Sequence, residues 1–228
     1  MALGKLRKAA RVILVGPPGC GKGTQSGRLL DHFKLSSISS GDLLRQNVRA
    51  KTPLGVQAES IMKSGGLVHD SIMVKLIVGE LSKRGWVETR GNMASASFLL
   101  DGFPRTQSQA KSLDEEVQMN LVVNLDVPHD VILERIAGRL VHEPSGRVYN
   151  TTWNKPMNPG VDDITGEPLT RRSDDQPETF AKRLKAYAEA TEPLLEHYDK
   201  AGVLWTVRGK TSDEITPQLD AEIQRRFA

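Results

Sequence analysis

Gly16–Gln25 reads GPPGCGKGTQ, and the spacing of its glycines decides the fold. A phosphate-cradling P-loop runs Gly, four residues, Gly-Lys and then Ser or Thr. Gly16 and Gly21-Lys22 fit that pattern, but Gly23 takes the hydroxyl position and Thr24 follows one residue late. The apolar run Val12–Val15 precedes the loop, and Leu29, Leu30 and Phe33 follow it at helical spacing. A buried strand, a glycine loop and a helix gather backbone N–H groups at the positive end of a helix dipole. Lys22 adds a cation that can follow a β- or γ-phosphate.

Outward from the loop, short apolar runs alternate with amphipathic segments, the signature of βα units around a parallel sheet. Phe98–Leu100, Leu121–Leu125 and Val203–Val207 read as further buried strands and Ser37-Ile38 as a fifth. The pattern from Ser39 to Val68 is helical. Thr52-Pro53 forms an N-cap with proline at the first position, and Gly65-Gly66 ends that helix. Asp70 caps the next helix, which carries Ile72, Leu76, Ile77 and Leu81 and stops at Gly85. Phe180, Leu184, Tyr187, Thr191, Leu194 and Tyr198 form one helical stripe after Pro177. Thr211 with Glu214 makes a capping box ahead of Ile215, Leu219, Ile223 and Phe227. Residues 142–176 have little period and carry turn signals such as Asn158-Pro159-Gly160, as binding loops and lids do.

The chain of 228 residues suits one substantial α/β domain with small insertions. Lys and Arg number 31 against 28 Asp and Glu, and a net charge of +3 gives no reason to expect a nucleic-acid partner. No apolar run is long enough to span a bilayer, so no membrane partner is expected. The single cysteine, Cys20, excludes an intramolecular disulfide and indicates a reducing compartment. Lys5, Arg7, Lys8 and Arg11 precede the first acidic residue, Asp31. That basic segment has two readings, a short mitochondrial-type import signal or a solvated terminus.

Asp42 and Arg45 form an i,i+3 pair, which alone reads as a surface ion pair. Asp101-Gly102-Phe103-Pro104-Arg105 is more telling. An Asp at the C-terminal end of a buried strand beside such a loop can hold the hydration shell of Mg²⁺. The Gly and Pro then turn the chain and present Arg105 to the cleft at the strand ends. Arg139, Arg147, Arg171, Arg172 and Arg183 border or occupy the irregular segment and suit a polyphosphate clamp. His142 with Ser145, Asp162 and Thr165 reads as a hydrogen-bonded staple. One histidine with two hydroxyls is poor zinc chemistry, so no structural zinc is expected.

Taken together, GPPGCGKGT, SSGDLLR, LLDGFPRT, GRLVHEPSGRVYN and DDITGEPLTRRSDD resemble the long-lid adenylate kinase family from about Val12 to the C-terminus. The resemblance implies a P-loop NTPase-type five-stranded parallel sheet flanked by helices. It also implies a core of residues 1–38, 69–137 and 176–228, a helical NMP-binding insertion at 39–68 and a lid at 138–175. Carried over by motif, Gly19, Cys20, Gly21, Lys22, Gly23 and Thr24 cradle the donor triphosphate, with Cys20 an incidental loop position. Val148, Tyr149 and Thr211 lie at the donor base. Ser40, Arg45, Gly66, Leu67, Val68, Gly102, Phe103, Pro104, Arg105 and Gln109 form the AMP site, Gln109 reading adenine. Arg139, Arg172 and Arg183 join Lys22 and Arg105 around the transferring phosphoryl group. Asp42 and Asp101 orient waters on Mg²⁺, with no direct protein ligand to the metal.

Leu35–Gly41, the NLDVP stretch at 124–128 and VLWTVRGKTSDEI resemble the family's mitochondrial, GTP-using branch. That implies an enzyme of the mitochondrial matrix that favours GTP over ITP or ATP. With nothing in the sequence pointing to a dimer interface, a monomer is the default expectation. GGLVHDSIMV resembles cytosolic fungal-type members as well, which keeps an ATP donor and a cytoplasmic location open. A pyrimidine monophosphate kinase is a more remote alternative, opposed by Gln109. A partner-binding GTPase-like switch would read guanine with Asn-Lys-x-Asp, whereas Asn154-Lys155 is followed by Pro156-Met157.

Overall fold

The computed structural model describes Gly4, residues 6–86 and residues 96–228. Lys5 of the basic N-terminal segment lies outside them. Five parallel strands form the central sheet: β1 (Arg11–Val15), β2 (Ser36–Ser39), β3 (Phe98–Asp101), β4 (Leu121–Asp126) and β7 (Leu204–Arg208). Their order is β2-β3-β1-β4-β7. Every strand expected from the sequence is present, with ends shifted by a residue or two.

Both faces of the inner strands are covered, which is why they read as unbroken apolar runs rather than alternating ones. Val12, Leu14, Leu99 and Val123 pack with Leu29 and Phe33 of α1 (Lys22–Phe33) and with Ile215, Leu219 and Ile223 of α9 (Ser212–Phe227). Ile13, Leu100 and Val122 face the opposite layer. That layer contains Ile77 of α4 (Asp70–Lys83), Leu113 of α5 (Gln107–Glu116) and Leu194 of α8 (Glu192–Lys200). β2 is an edge strand in which only Ile38 is buried, so its serines give a weak sequence signal.

Two helices, α2 (Ser40–Arg49) and α3 (Pro53–Lys63), pack on each other after β2. Thr52 caps α3 through its hydroxyl, which accepts from the Gly55 N–H. A Cβ on Gly55 would stand 2.0 Å from the Asn47 carbonyl oxygen, so only glycine permits this crossing. After β4, α6 (His129–Ala137) leads to an antiparallel hairpin of β5 (Arg139–Val141) and β6 (Val148–Asn150). The chain returns through a 3₁₀ turn at Ser173–Asp175 and α7 (Pro177–Ala186).

Three sequence expectations need correction. Asp70 is the first residue of α4 rather than its cap. His69 Nδ1 accepts from the Ser71 N–H, and the Asp70 carboxylate is occupied elsewhere. The stripe from Phe180 to Tyr198 is not one regular helix, because Tyr187–Thr191 is a π-turn between α7 and α8. Its wider winding precedes Pro193, which cannot donate an N–H to a regular α-helical ladder. Arg11 belongs to β1 and donates from Nε to the Gln118 carbonyl at 2.6 Å, so at this position the basic segment is neither frayed nor solvated. Arg7 and Lys8 donate their backbone N–H groups to the Phe227 carbonyl. Among the described residues no helix is long and apolar enough to cross a membrane.

Candidate active site

Strand register brings distant segments to one edge of the sheet. Ser39 stands beside Asp101, and Asp101 beside Leu14, two residues before Gly16. The C-terminal ends of β2, β3 and β1 therefore open into one crevice, the usual ligand position in such sheets. It is a cleft of about 930 Å³ that extends beneath the β5–β6 hairpin. Its walls include Gly19, Gly21, Lys22, Gly23, Thr24, Asp42, Arg45, Asp101, Arg105, Gln109, Arg139, Arg172 and Arg183.

The glycine loop supplies the floor. Gly21, the residue before α1, adopts φ 101° and offers no side-chain oxygen to the first helical N–H groups. Those donors face a site that suits an anion. Lys22 Nζ folds back to donate to the carbonyls of Gly16 and Pro17, at 2.7 and 2.9 Å. The Cys20 side chain is buried in the hydrophobic core, and its backbone N–H donates to the Pro17 carbonyl at 3.3 Å.

On the α2 side, buried Ser40 donates to the Gly102 carbonyl at 2.7 Å, and Arg105 Nε donates to the same oxygen at 2.7 Å. Arg45 pairs with Asp42 at 2.5 Å. Gly66, Leu67, Val68, Gly102 and Pro104 line this half of the cleft. Phe103, joined to Pro104 by a cis peptide, does not, because its ring is buried in the core. Gln109 reaches the cleft with both ends of its carboxamide engaged. Its Oε1 accepts from the Arg105 N–H and its Nε2 donates to Asp70, each at 2.8 Å.

The arginines impose the electrostatics. Burial lowers the pKa of Arg105, as does the nearby charge of Arg183. Burial, with Arg45 and Arg139 beside it, pushes Arg172 down to about 10. Arg183 is lowered by burial, with Arg139 and Arg45 adding to the effect. Buried guanidinium groups that repel one another are stabilised by a multiply charged anion. Two carboxylates without an assigned role in the sequence reading, Asp174 and Asp175, offset part of the repulsion. Arg139 makes a two-pronged pair with Asp175, and Arg183 lies 2.9 Å from Asp174. Their only sequence signal was their place in RRSDD. Burial raises the pKa of Asp101, and the charges of Lys22 and Arg105 oppose that rise.

The hairpin half holds Val148, Tyr149, Asn150, Trp153 and Thr211 on the cleft wall. Tyr149 is buried, and its hydroxyl donates to Asp162 at 2.9 Å, so that group is committed to the hairpin's interior. Arg147 forks onto the same Asp162 at 2.7 and 2.6 Å rather than reaching across the cleft. Arg171 is exposed and lies off the cleft wall. The His142 staple is real and larger than the sequence suggested. Ser145 and Glu167 flank the imidazole at 2.7 and 2.5 Å, and Thr165 donates to Asp162 at 3.0 Å.

Arg135 was missed. It lines the cleft and bridges the glycine loop to the start of α9, donating to the carbonyls of Cys20 at 2.9 Å and Lys210 at 2.7 Å. Its i,i+4 spacing from Arg139 was the available signal.

The family model described as adenylate kinase matches residues 14–203. Two relatives named "GTP:AMP phosphotransferase, mitochondrial" come from Saccharomyces cerevisiae. One is 50% identical over 97% of this chain and 95% of its own length. The other, from strain ATCC 204508 / S288c, is 51% identical over 92% and 94%. A relative of the same name from Drosophila melanogaster is 41% identical over 96% and 98%.

Proposed function

The chain belongs to the adenylate kinase family, and from that premise we propose that it moves the terminal phosphoryl group of GTP to AMP, giving GDP and ADP. The observation that carries this reading is the convergence of Arg45, Arg105, Arg139, Arg172 and Arg183 on the glycine loop and Lys22. Phosphoryl transfer needs in-line oxygens, neutralised charge and exclusion of water more than it needs a protein nucleophile.

In this reading residues 39–68 bind the acceptor monophosphate, 138–175 are the lid, and the remainder is the core. Ser40, Arg45, the backbone of Gly66–Val68, Gly102, Arg105 and Gln109 hold AMP. The loop from Gly19 to Thr24, with Val148, Tyr149 and Thr211, holds the donor, and Arg135 joins that group. Lys22 exchanges its loop carbonyls for phosphate oxygens as the donor arrives. Arg139 and Arg183 likewise exchange Asp175 and Asp174 for the transferring group, and Arg172 completes the charge shell. The hairpin covers the reacting oxygens and keeps water from accepting the phosphoryl group.

Asp42 and Asp101 are hard oxygen donors on the cleft wall beside Lys22 and suit a magnesium ion that keeps its waters. Among the described residues no cluster of three or more acidic, His or Cys side chains is placed to hold a metal ion. Asp42 and Asp101 would hold Mg²⁺ through its waters, and the ion would supply charge neutralisation to the bound triphosphate.

The names of the relatives support GTP as donor and a mitochondrial location, within which we propose the matrix. The test is the initial rate of AMP phosphorylation with GTP, ITP and ATP as competing donors. GTP is expected to give the highest kcat/KM. A preference for ATP overturns the donor assignment, and absence of ADP with every donor overturns the enzyme.

A further inference from the structure

We infer that Asp70 is a positioning residue that sets base selectivity in the acceptor site by fixing the Gln109 carboxamide in one orientation. The inference rests on the AMP-site reading above. A glutamine amide presents two donors and two acceptor lone pairs, and its two ends are nearly alike in shape. Its neighbours here are not. The Arg105 backbone N–H can only donate, and it meets Oε1 at 2.8 Å. The Asp70 carboxylate can only accept, and it meets Nε2 at 2.8 Å. Reversing the amide would set donor against donor at Arg105 and acceptor against acceptor at Asp70, leaving polar groups unsatisfied around a side chain that is 2% exposed.

Asp70 is itself held in place. Its other oxygen accepts from the Thr106 hydroxyl at 2.7 Å, and Thr106 Oγ1 accepts from the Gln109 N–H at 3.2 Å. The carboxylate thus joins the N-terminus of α4 to the first turn of α5 and does not line the cleft.

With these bonds made, Gln109 retains one N–H and one oxygen lone pair for a ligand. That ordered pair matches adenine, which presents an amino donor beside a ring-nitrogen acceptor. Hypoxanthine puts a carbonyl acceptor and a ring N–H in the same places, and the fixed amide opposes both. Selection against IMP therefore depends on Asp70 although Asp70 touches no nucleotide.

The experiment measures kcat and KM for AMP and IMP at fixed GTP in the wild type, Asp70→Asn, Gln109→Ala and the double variant. Asparagine can turn an amide donor toward Gln109 and so removes one of the two contacts that oppose the reversed orientation, leaving only the Arg105 N–H against it. Asp70→Asn is expected to lower the AMP/IMP ratio of kcat/KM about tenfold, mainly through KM for AMP, equivalent to about 1.4 kcal/mol. In the Gln109→Ala background the same change should leave the ratio where it is. Equal losses on AMP and IMP, or an undiminished effect in the Gln109→Ala background, would overturn the inference and leave Asp70 a structural residue. If Asp70→Asn does not fold, Asp70→Ser serves, because its short hydroxyl cannot span to Gln109, and the same two outcomes decide. A wild type that does not phosphorylate AMP overturns the phosphotransferase reading and this inference together. A wild type that prefers AMP while Asp70→Asn keeps the ratio overturns the inference alone.

Discussion

Arg105 is half-buried on the cleft wall, with its Nε donating to the Gly102 carbonyl and its charge disfavoured by burial and by Arg183. Such a group is costly to the apo protein and useful to a phosphate. Arg105→Ala should therefore lower kcat/KM by about 10²-fold or more, the scale of losing one donor to developing charge. The melting temperature should hold or rise, because a repulsive charge is removed. Steady-state kinetics and a thermal melt on one preparation check both, and near-wild-type turnover would take Arg105 out of the site. At this scale the sequence was legible where chemistry forces a residue type, as in Lys22 between two glycines or Asp101 ending a strand. It was less legible where one residue has a backbone role and a different side-chain role. Cys20 and Phe103 follow the loop and the strand end in sequence, yet their side chains are buried in the core.

The hairpin and its following loop are held by a carboxylate that acid would neutralise. Asp162 accepts from Arg147, Tyr149 and Thr165, and the Arg147 guanidinium holds its carboxyl well below the usual carboxylate range. A folded-state pKa depressed below the unfolded value gives stability that is fully present above the unfolded value, about 3.9, and lost as the pH falls beneath it. Asp162→Asn should therefore melt below the wild type near pH 7, and the gap should narrow as the pH falls under about 4. A gap independent of pH would show that the carboxylate's charge is not what holds the hairpin. The caps at Thr52 and Thr211 were readable because they are local patterns. The π-turn was not, since a period near 3.6 fits residues 180–198 even where one turn is wider. That turn lines the cleft and sets the Thr191 hydroxyl 2.9 Å from the Arg105 carbonyl.

Over the whole molecule, function depends on contacts that no local pattern displays. Arg45, Arg105, Arg139, Arg172 and Arg183 are spread along the chain, and the strand order β2-β3-β1-β4-β7 is what turns them toward one crevice. The hairpin segment also reaches the α2–α3 insertion, with Arg49 donating to the Glu143 carbonyl at 2.6 Å. Periodicity identified the strands and helices but not that order, which rests on pairings between segments distant in sequence. A cleft closed in this way should transfer a phosphoryl group to a nucleotide rather than to water. The most direct test is to incubate the protein with Mg²⁺, GTP and AMP and to quantify products by chromatography while free phosphate is assayed in parallel. The account predicts GDP and ADP in equal amounts with little phosphate, whereas GDP and phosphate without ADP would contradict it.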